Sequence, residues 1–377
     1  MRFWSYIEHG PGPGVTDVVR ETLVIDGAHG EGGGQILRTG LSIAALLRRP
    51  VRFTNIRALR RHPGLAAQHL TAVRAAAALC GAKLQGDVLG SQELLFAPRH
   101  PIKSAHYEFD VAAAREGGSA GGTSLVLQTI LLPLALAPGR SDVLLHGGTH
   151  LTHSPAFDYV RDVWLPALRC LGIRASVSLA VYGRYPIGKG AIRAEIAGAP
   201  PGLGGLTPLQ LLAPGPLLRI SGRAIAANLP EHIPHRMAER ASALFASLET
   251  DIRMDAECVH AACPGAGIFL VAEYQSVRAG FSALGARGKP SEQVAEEAAG
   301  ELLRHHSSGA AIDRHLADQI LLPLSVAIGP SRFTVEQITR HLETNAWVIQ
   351  QFGMADIVMQ PTASNAAEVT VVPRAVT

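Results

Sequence analysis

Lysine is nearly missing from this chain: of 34 lysines and arginines only Lys83, Lys103, Lys189 and Lys289 are lysines, and none is followed by Asp-Gly in a Lys-x-Asp-Gly pattern. Nucleotide transfer through that kind of lysine is therefore excluded, and a covalent nucleotide on this protein would have to sit on a histidine. Cysteine is scarce as well. Cys80, Cys170, Cys258 and Cys263 are scattered with no disulfide spacing, which favours a reducing, cytoplasmic setting. Cys258, His260 and Cys263 form one short cluster, but a second ligand pair for zinc is missing. No apolar run is long enough for a membrane span; residues 124–137 come nearest and are broken by Gln128 and Pro133. His-Glu-x-x-His is absent.

What is present is an apolar, weakly charged chain of 377 residues, 47% hydrophobic and 17% charged, with a net charge of +3. That describes a globular protein with core enough for two or three domains, and its mild basicity does not by itself imply nucleic acid. Residues 1–22 have no apolar signal region and read as a loose extension.

Residues 27–40, GAHGEGGGQILRTG, carry six glycines and one acid ahead of an apolar helix pattern. A Walker loop needs Gly-Lys-Ser/Thr where Gly34 is followed by Gln35, and a dinucleotide fingerprint needs an acid where arginines stand. Glu31 would repel a bare phosphate, so this loop suits a phosphate only with a cation between them. The arginine run from Arg57, RALRRHPGLAAQH, leads into a second helix start and suits phosphate docking, but it has no interleaved aromatics for base stacking.

LQTILLPLALAPGRS from Leu127 and ADQILLPLSVAIGPS from Ala317 form an internal repeat, and QILRTGLSIAAL from Gln35 is a plausible third copy. Around them the chain alternates strand, helix, strand, helix, strand, strand. The third such unit is interrupted: its first strand, Thr207 to Leu212, is separated from its first helix by about ninety residues. Those residues read as strand, helix, strand, strand, helix. The expected organisation is a large α/β (α+β) domain of residues 23–214 and 306–377, with a small α/β domain of residues 215–305 inserted.

Taken together, DGAHGEGGGQILRT, NIRALRRHPGLAAQHLTAV, GSQELLFAP, GGTSLVLQTILLP, GGTH followed by SPAFDYV, HLADQILLPL and TRHLETNAWV resemble the RNA 3′-terminal phosphate cyclase family, in order and spacing, from about Val24 to Val371. The resemblance implies three βαβαββ units like the C-terminal domain of translation initiation factor three, with a small domain inserted in the last. It implies ATP as cosubstrate, attacked at its α-phosphorus by a histidine, and Mg²⁺ or Mn²⁺. AMP then passes to an RNA 3′-phosphate, and the 2′-hydroxyl closes a 2′,3′-cyclic phosphate.

Carried over residue by residue, the nucleophile falls on His341 and the metal-contacting acid on Glu31. Arg38, Arg57, Gln68 and His69 fall around the phosphates or the RNA end; Gln128, Pro155, His315, Asp318 and Gln319 fall around the AMP. The expected partner is RNA with a 3′-terminal phosphate, with no membrane and no obligate protein partner.

Three positions depart from the family pattern. YPIGKG carries Lys189 where the family signature has a glycine, His62 stands where lysine is common, and His315 where a tyrosine stacks on adenine. The competing readings are a noncatalytic RNA-binding or ribosome-assembly relative, which should lack the histidine, and an enolpyruvyl transferase, which should carry more lysines.

Overall fold

The computed structural model describes residues 21–114, 119–199, 205–362 and 366–375. Most of the expected N-terminal extension, residues 1–20, lies outside the described residues. The chain is a mixed α/β protein whose strands form four four-stranded sheets.

The first sheet contains β1 (Leu23–Asp26), β2 (Val51–Thr54), β3 (Lys83–Gln85) and β4 (Leu94–Ala97), with α1 (Gly34–Leu47) and α2 (Ala67–Cys80) between them. The second contains β5 (His106–Asp110), β6 (Arg140–Gly147), β7 (Arg174–Val181) and β8 (Gly190–Ala197), with α3 (Thr123–Leu136) after β5. A helix we call α4 follows β6; it runs through Phe157–Tyr159, a π-helical stretch Val160–Trp164, and Leu165–Cys170. β9 (Gln210–Leu211) pairs with one strand far downstream. Before it come β10 (Leu217–Ala227), α5 (His232–Phe245), β11 (Asp251–Val259), β12 (Gly265–Tyr274), β13 (Arg278–Leu284) and α6 (Ser291–Ser308). The chain ends with α7 (Arg314–Leu324), β14 (Ser331–Val335), α8 (Arg340–Gln351), β15 (Ala355–Pro361) and β16 (Ala367–Pro373).

Three sheets share one order: β1-β2-β4-β3, β5-β6-β8-β7 and, read from its other edge, β9-β14-β16-β15. In each, the first two strands are parallel and the rest antiparallel. The fourth sheet, β11-β10-β12-β13, has a different order and its own apolar core with α5 and α6 around Met237, Phe245 and Phe281.

Two sequence expectations are corrected. β13 is a strand that the reading of residues 215–305 passed over, because RAGFSAL is short and mixes Gly and Ser with its apolar residues. The expected strand from Thr207 to Leu212 shrinks to Gln210–Leu211, paired in the ladder with Arg332 and Phe333; Pro208 has no N–H for a ladder.

Helices α1, α3 and α7 pack at the centre, buried on nearly every face. The repeated Ile-Leu-Leu-Pro-Leu puts a proline in the last turn of α3 and of α7. Proline leaves the carbonyl four residues earlier without its helical donor. In α3 that carbonyl is Thr129, and Ser42 of α1 donates to it at 2.6 Å, so the defect in one helix becomes a hydrogen bond to its neighbour.

Candidate functional site

The glycine loop after β1 lies along one face of α8. His29 stacks on Trp347 with centroids 3.8 Å apart, the Glu31 amide donates to Thr344 Oγ1 at 3.2 Å, and the Glu31 carboxylate meets His341. Residues 341, 344 and 347 recur every three positions and so share a helix face. Gly30 makes the approach feasible: its φ is +58°, and a Cβ there would lie 2.5 Å from Thr344 Oγ1. Thr339 caps α8, accepting from the Leu342 amide at 3.1 Å, which places His341 in the exposed first turn.

Nε2 of His341 lies 2.9 Å from Oε2 of Glu31. The alignment is not that of a hydrogen bond, and Oε2 is buried without a hydrogen-bond partner, while Oε1 accepts from Arg60. The His341 imidazole is 51% exposed, open to a substrate. Burial first of all, then Arg38, Arg60 and His315, hold its pKa below the usual histidine value, against the pull of Glu31. The ring is thus neutral at neutral pH, with a free electron pair for attack.

Beside this pair, a cleft is lined by Gln35, Arg38 and Thr39 of α1, Gln128 of α3, Asp318 and Gln319 of α7, and Asn345 of α8, with leucines and Trp164 behind. Gln128 Nε2 donates to Gln319 Oε1 at 2.8 Å, and Gln319 Nε2 to the His315 carbonyl at 2.7 Å. Thr39 Oγ1 donates to Asn345 Oδ1 at 2.6 Å, and Asn345 Nδ2 to the Asp318 carbonyl. Arg38 is 9% exposed with Nε unpartnered, and burial lowers its pKa to about 10, against the pull of Asp318 and Glu31. Burial raises Asp318 to about 7, opposed by Arg38. A buried guanidinium with an unsatisfied N–H is a binding group waiting for an acceptor.

His69 lies against this corner from α2. Its Nδ1 accepts from the Ala66 amide at 3.2 Å, which puts its proton on Nε2, next to Gly34, where any Cβ would lie 2.3 Å away. Burial, then Arg57 and Arg38, depress its pKa to about 3, so it stays neutral. Gln68 Oε1 accepts from the Gly122 amide at 3.2 Å, and Arg57 Nη1 donates to the Gly64 carbonyl at 2.8 Å.

Of the residues expected from the sequence, Arg38, Gln128, Asp318 and Gln319 thus line one cleft, and Glu31 and His341 form the adjoining pair. His315 is exposed at the start of α7. Pro155 is outside the cleft lining; its carbonyl accepts from Ser124 Oγ at 2.7 Å before α4. Gln68 and Arg57 hold loops nearby. The sequence reading missed Arg60, Thr344 and Asn345, although helical spacing from His341 points to the last two.

A lone carboxylate with one bare buried oxygen suits a hard divalent cation that completes its shell with water and phosphate oxygens. Among the described residues no three His, Cys, Asp or Glu side chains gather as a metal cage, Cys258, His260 and Cys263 included.

A family profile described as RNA 3′-terminal phosphate cyclase matches residues 29–359. Proteins named RNA 3′-terminal phosphate cyclase are similar along most of the chain. That of Methylococcus capsulatus is 56% identical over 335 residues, covering 89% of this chain and 92% of its own. That of Nostoc punctiforme is 50% identical over 335 residues, covering 89% and 95%. That of Salmonella agona is 41% identical over 331 residues, covering 88% and 92%. The chain belongs to the RNA 3′-terminal phosphate cyclase family.

Proposed function

We propose that this protein is an ATP-consuming ligase that converts an RNA 3′-terminal phosphate to a 2′,3′-cyclic phosphate through a histidine-bound AMP and an RNA(3′)pp(5′)A intermediate. The observation that carries the reading is the neutral, half-exposed imidazole of His341, held at Glu31 beside a cleft where the buried Arg38, bonded to Gln35 through Nη2, has its Nε unpartnered.

His341 donates its electron pair to the α-phosphorus of ATP, the bond to the β-phosphate oxygen breaks, and pyrophosphate leaves. An oxygen of the RNA 3′-phosphate then attacks the same phosphorus; the N–P bond breaks and neutral imidazole is restored. Finally the 2′-hydroxyl attacks the RNA phosphorus, loses its proton and expels AMP. Activation is needed because a phosphate oxygen is a poor leaving group, whereas AMP leaves readily from a phosphoanhydride.

Arg38 supplies fixed positive charge where negative charge gathers, and its burial strengthens the interaction. Gln128, Gln319, Asp318 and His315 hold the nucleotide, with Pro155 against its base. Gln68, His69 and Arg57 position the RNA end. Glu31 would hold a Mg²⁺ or Mn²⁺ ion, which when bound neutralises triphosphate charge.

The shared order of three sheets supports three βαβαββ units like the C-terminal domain of translation initiation factor three, residues 23–214 and 306–377 forming the large domain. The separate core of the fourth sheet supports residues 215–305 as a small domain inserted in the third unit. No helix among the described residues is long and apolar enough to cross a membrane, and the proposed setting is the cytoplasm.

Turnover on two oligonucleotides with 3′-phosphates, one ending in ribose and one in 2′-deoxyribose, tests the reaction. The ribose end should release AMP in step with cyclisation and the deoxy end should not. Equal AMP release from both would refute the proposal.

A further inference from the structure

Residues 183–190, carrying Tyr185 and Lys189, line no part of the cleft, yet they are held as a rigid shelf. Arg184 is 5% exposed and its Nη1 donates to the Ala266 carbonyl of β12 at 3.0 Å. Cys263 Sγ donates to the carbonyls of Arg184 and Tyr185 at 3.3 and 3.4 Å, and the Gly188 amide donates to the Arg184 carbonyl at 2.7 Å. Lys189 is locked at φ +51°, a conformation that ordinarily favours glycine. This anchored backbone projects its side chains outward: Tyr185 is 76% and Ile187 43% exposed, and Lys189 is exposed. Among the described residues the Tyr185 ring has no stacking or hydrogen-bond partner, and Lys189 has no ion pair. An aromatic so exposed on a fixed loop has hydrophobic surface still to bury.

A relay of contacts links the shelf to His341. His341 touches Glu31 in the loop leading to Gly34, Gly34 abuts His69, and the neighbouring Gln68 holds the Gly122 amide. At the far end of that turn, a Cβ on Gly188 would lie 3.0 Å from Ala120 Cα.

We infer that Tyr185 and Lys189 form a subsite for the RNA strand on the 5′ side of its reacting end, Tyr185 stacking on a base and Lys189 taking a backbone phosphate. The inference rests on the proposed function for the identity of the strand. Single-stranded RNA fits because its bases present faces of any sequence to an aromatic ring and its backbone presents charge to a cation. A lysine at the signature glycine then acquires a role: it adds a cation on a backbone held at φ +51°.

Fluorescence anisotropy of a 5′-labelled, 3′-phosphorylated RNA of about ten nucleotides, titrated with the full chain over a salt series, tests this. Tyr185→Ala should raise Kd about tenfold, Tyr185→Leu should do the same, and Tyr185→Phe should bind like wild type. Lys189→Ala should reduce the slope of log affinity against log salt by about 0.7. In turnover the Tyr185→Ala effect should fall on the KM for RNA rather than on kcat. Wild-type affinity in both Tyr185→Ala and Tyr185→Leu would overturn the subsite, as would a loss in Tyr185→Phe equal to that in alanine. Tyr185-dependent RNA binding by a wild type that incorporates no AMP would retire the cyclase reading and keep the subsite. Tyr185-independent binding by an active wild type would do the reverse.

Discussion

His341 and Glu31, from opposite ends of the chain, meet with Nε2 and Oε2 2.9 Å apart, and Thr344 one turn along α8 holds the Glu31 amide at 3.2 Å. The proposed nucleophile and the acid are thus positioned by one helix face, so a change to either the loop or the helix should disturb both.

Gly30→Ala tests that coupling. A side chain at φ +58° costs about 1–2 kcal/mol, and its Cβ would collide with Thr344 Oγ1. The loop must shift, taking Glu31 from His341. AMP incorporation should fall more than tenfold in a folded protein; an unchanged rate would show that the approach of loop and helix does not matter.

The pH profile follows from the His341 shift. Its folded pKa lies below 6.5, chiefly through burial, so the attacking neutral form persists below the usual histidine range. AMP incorporation should be flat through neutral pH and fall only as pH drops through that lowered value. Glu31→Gln removes the charge that pulls the pKa up, so the acid limb should move to still lower pH. Movement towards higher pH would contradict the assignment.

Removing Glu31 also tests the metal role. Glu31→Ala takes away the bare carboxylate oxygen and should raise the Mg²⁺ concentration needed for half-maximal AMP incorporation at least tenfold. An unaltered Mg²⁺ titration in a folded variant would place the ion elsewhere.

His69 predicts a stability effect. Its folded pKa of about 3 is far below the unfolded value of 6.5, so the unfolded chain takes up a proton first. The contribution of His69 is full above pH 6.5 and is lost as pH falls towards 3. Urea unfolding at pH 7 and at about pH 5 should show a smaller loss of stability in His69→Gln than in wild type. Equal losses would mean that His69 is not buried neutral.

Much of this was legible in the sequence because the signals were local. The glycine loop with Glu31, the Ile-Leu-Leu-Pro-Leu repeats and the stretch around His341 are short local motifs, and the family resemblance they carry implied the pair and four of the cleft residues. What stayed hidden depends on long-range contact. Arg60 looks like any member of its arginine run until it is seen on Glu31, and nothing local to Ser42 says that it serves a carbonyl exposed by Pro133. Asn345 becomes informative only through Thr39 and the Asp318 carbonyl. β13 escaped because its pattern is irregular and its place is secured by pairing with β12.

The most direct test of the central claim is to incubate the protein with Mg²⁺ and ATP labelled at the α-phosphate, denature it, and measure label on the chain in wild type and His341→Ala. The account predicts acid-labile label on wild type, none on the variant, and its release as AMP when 3′-phosphorylated RNA is added first. Wild type that binds ATP yet carries no label, or equal label on His341→Ala, would contradict it.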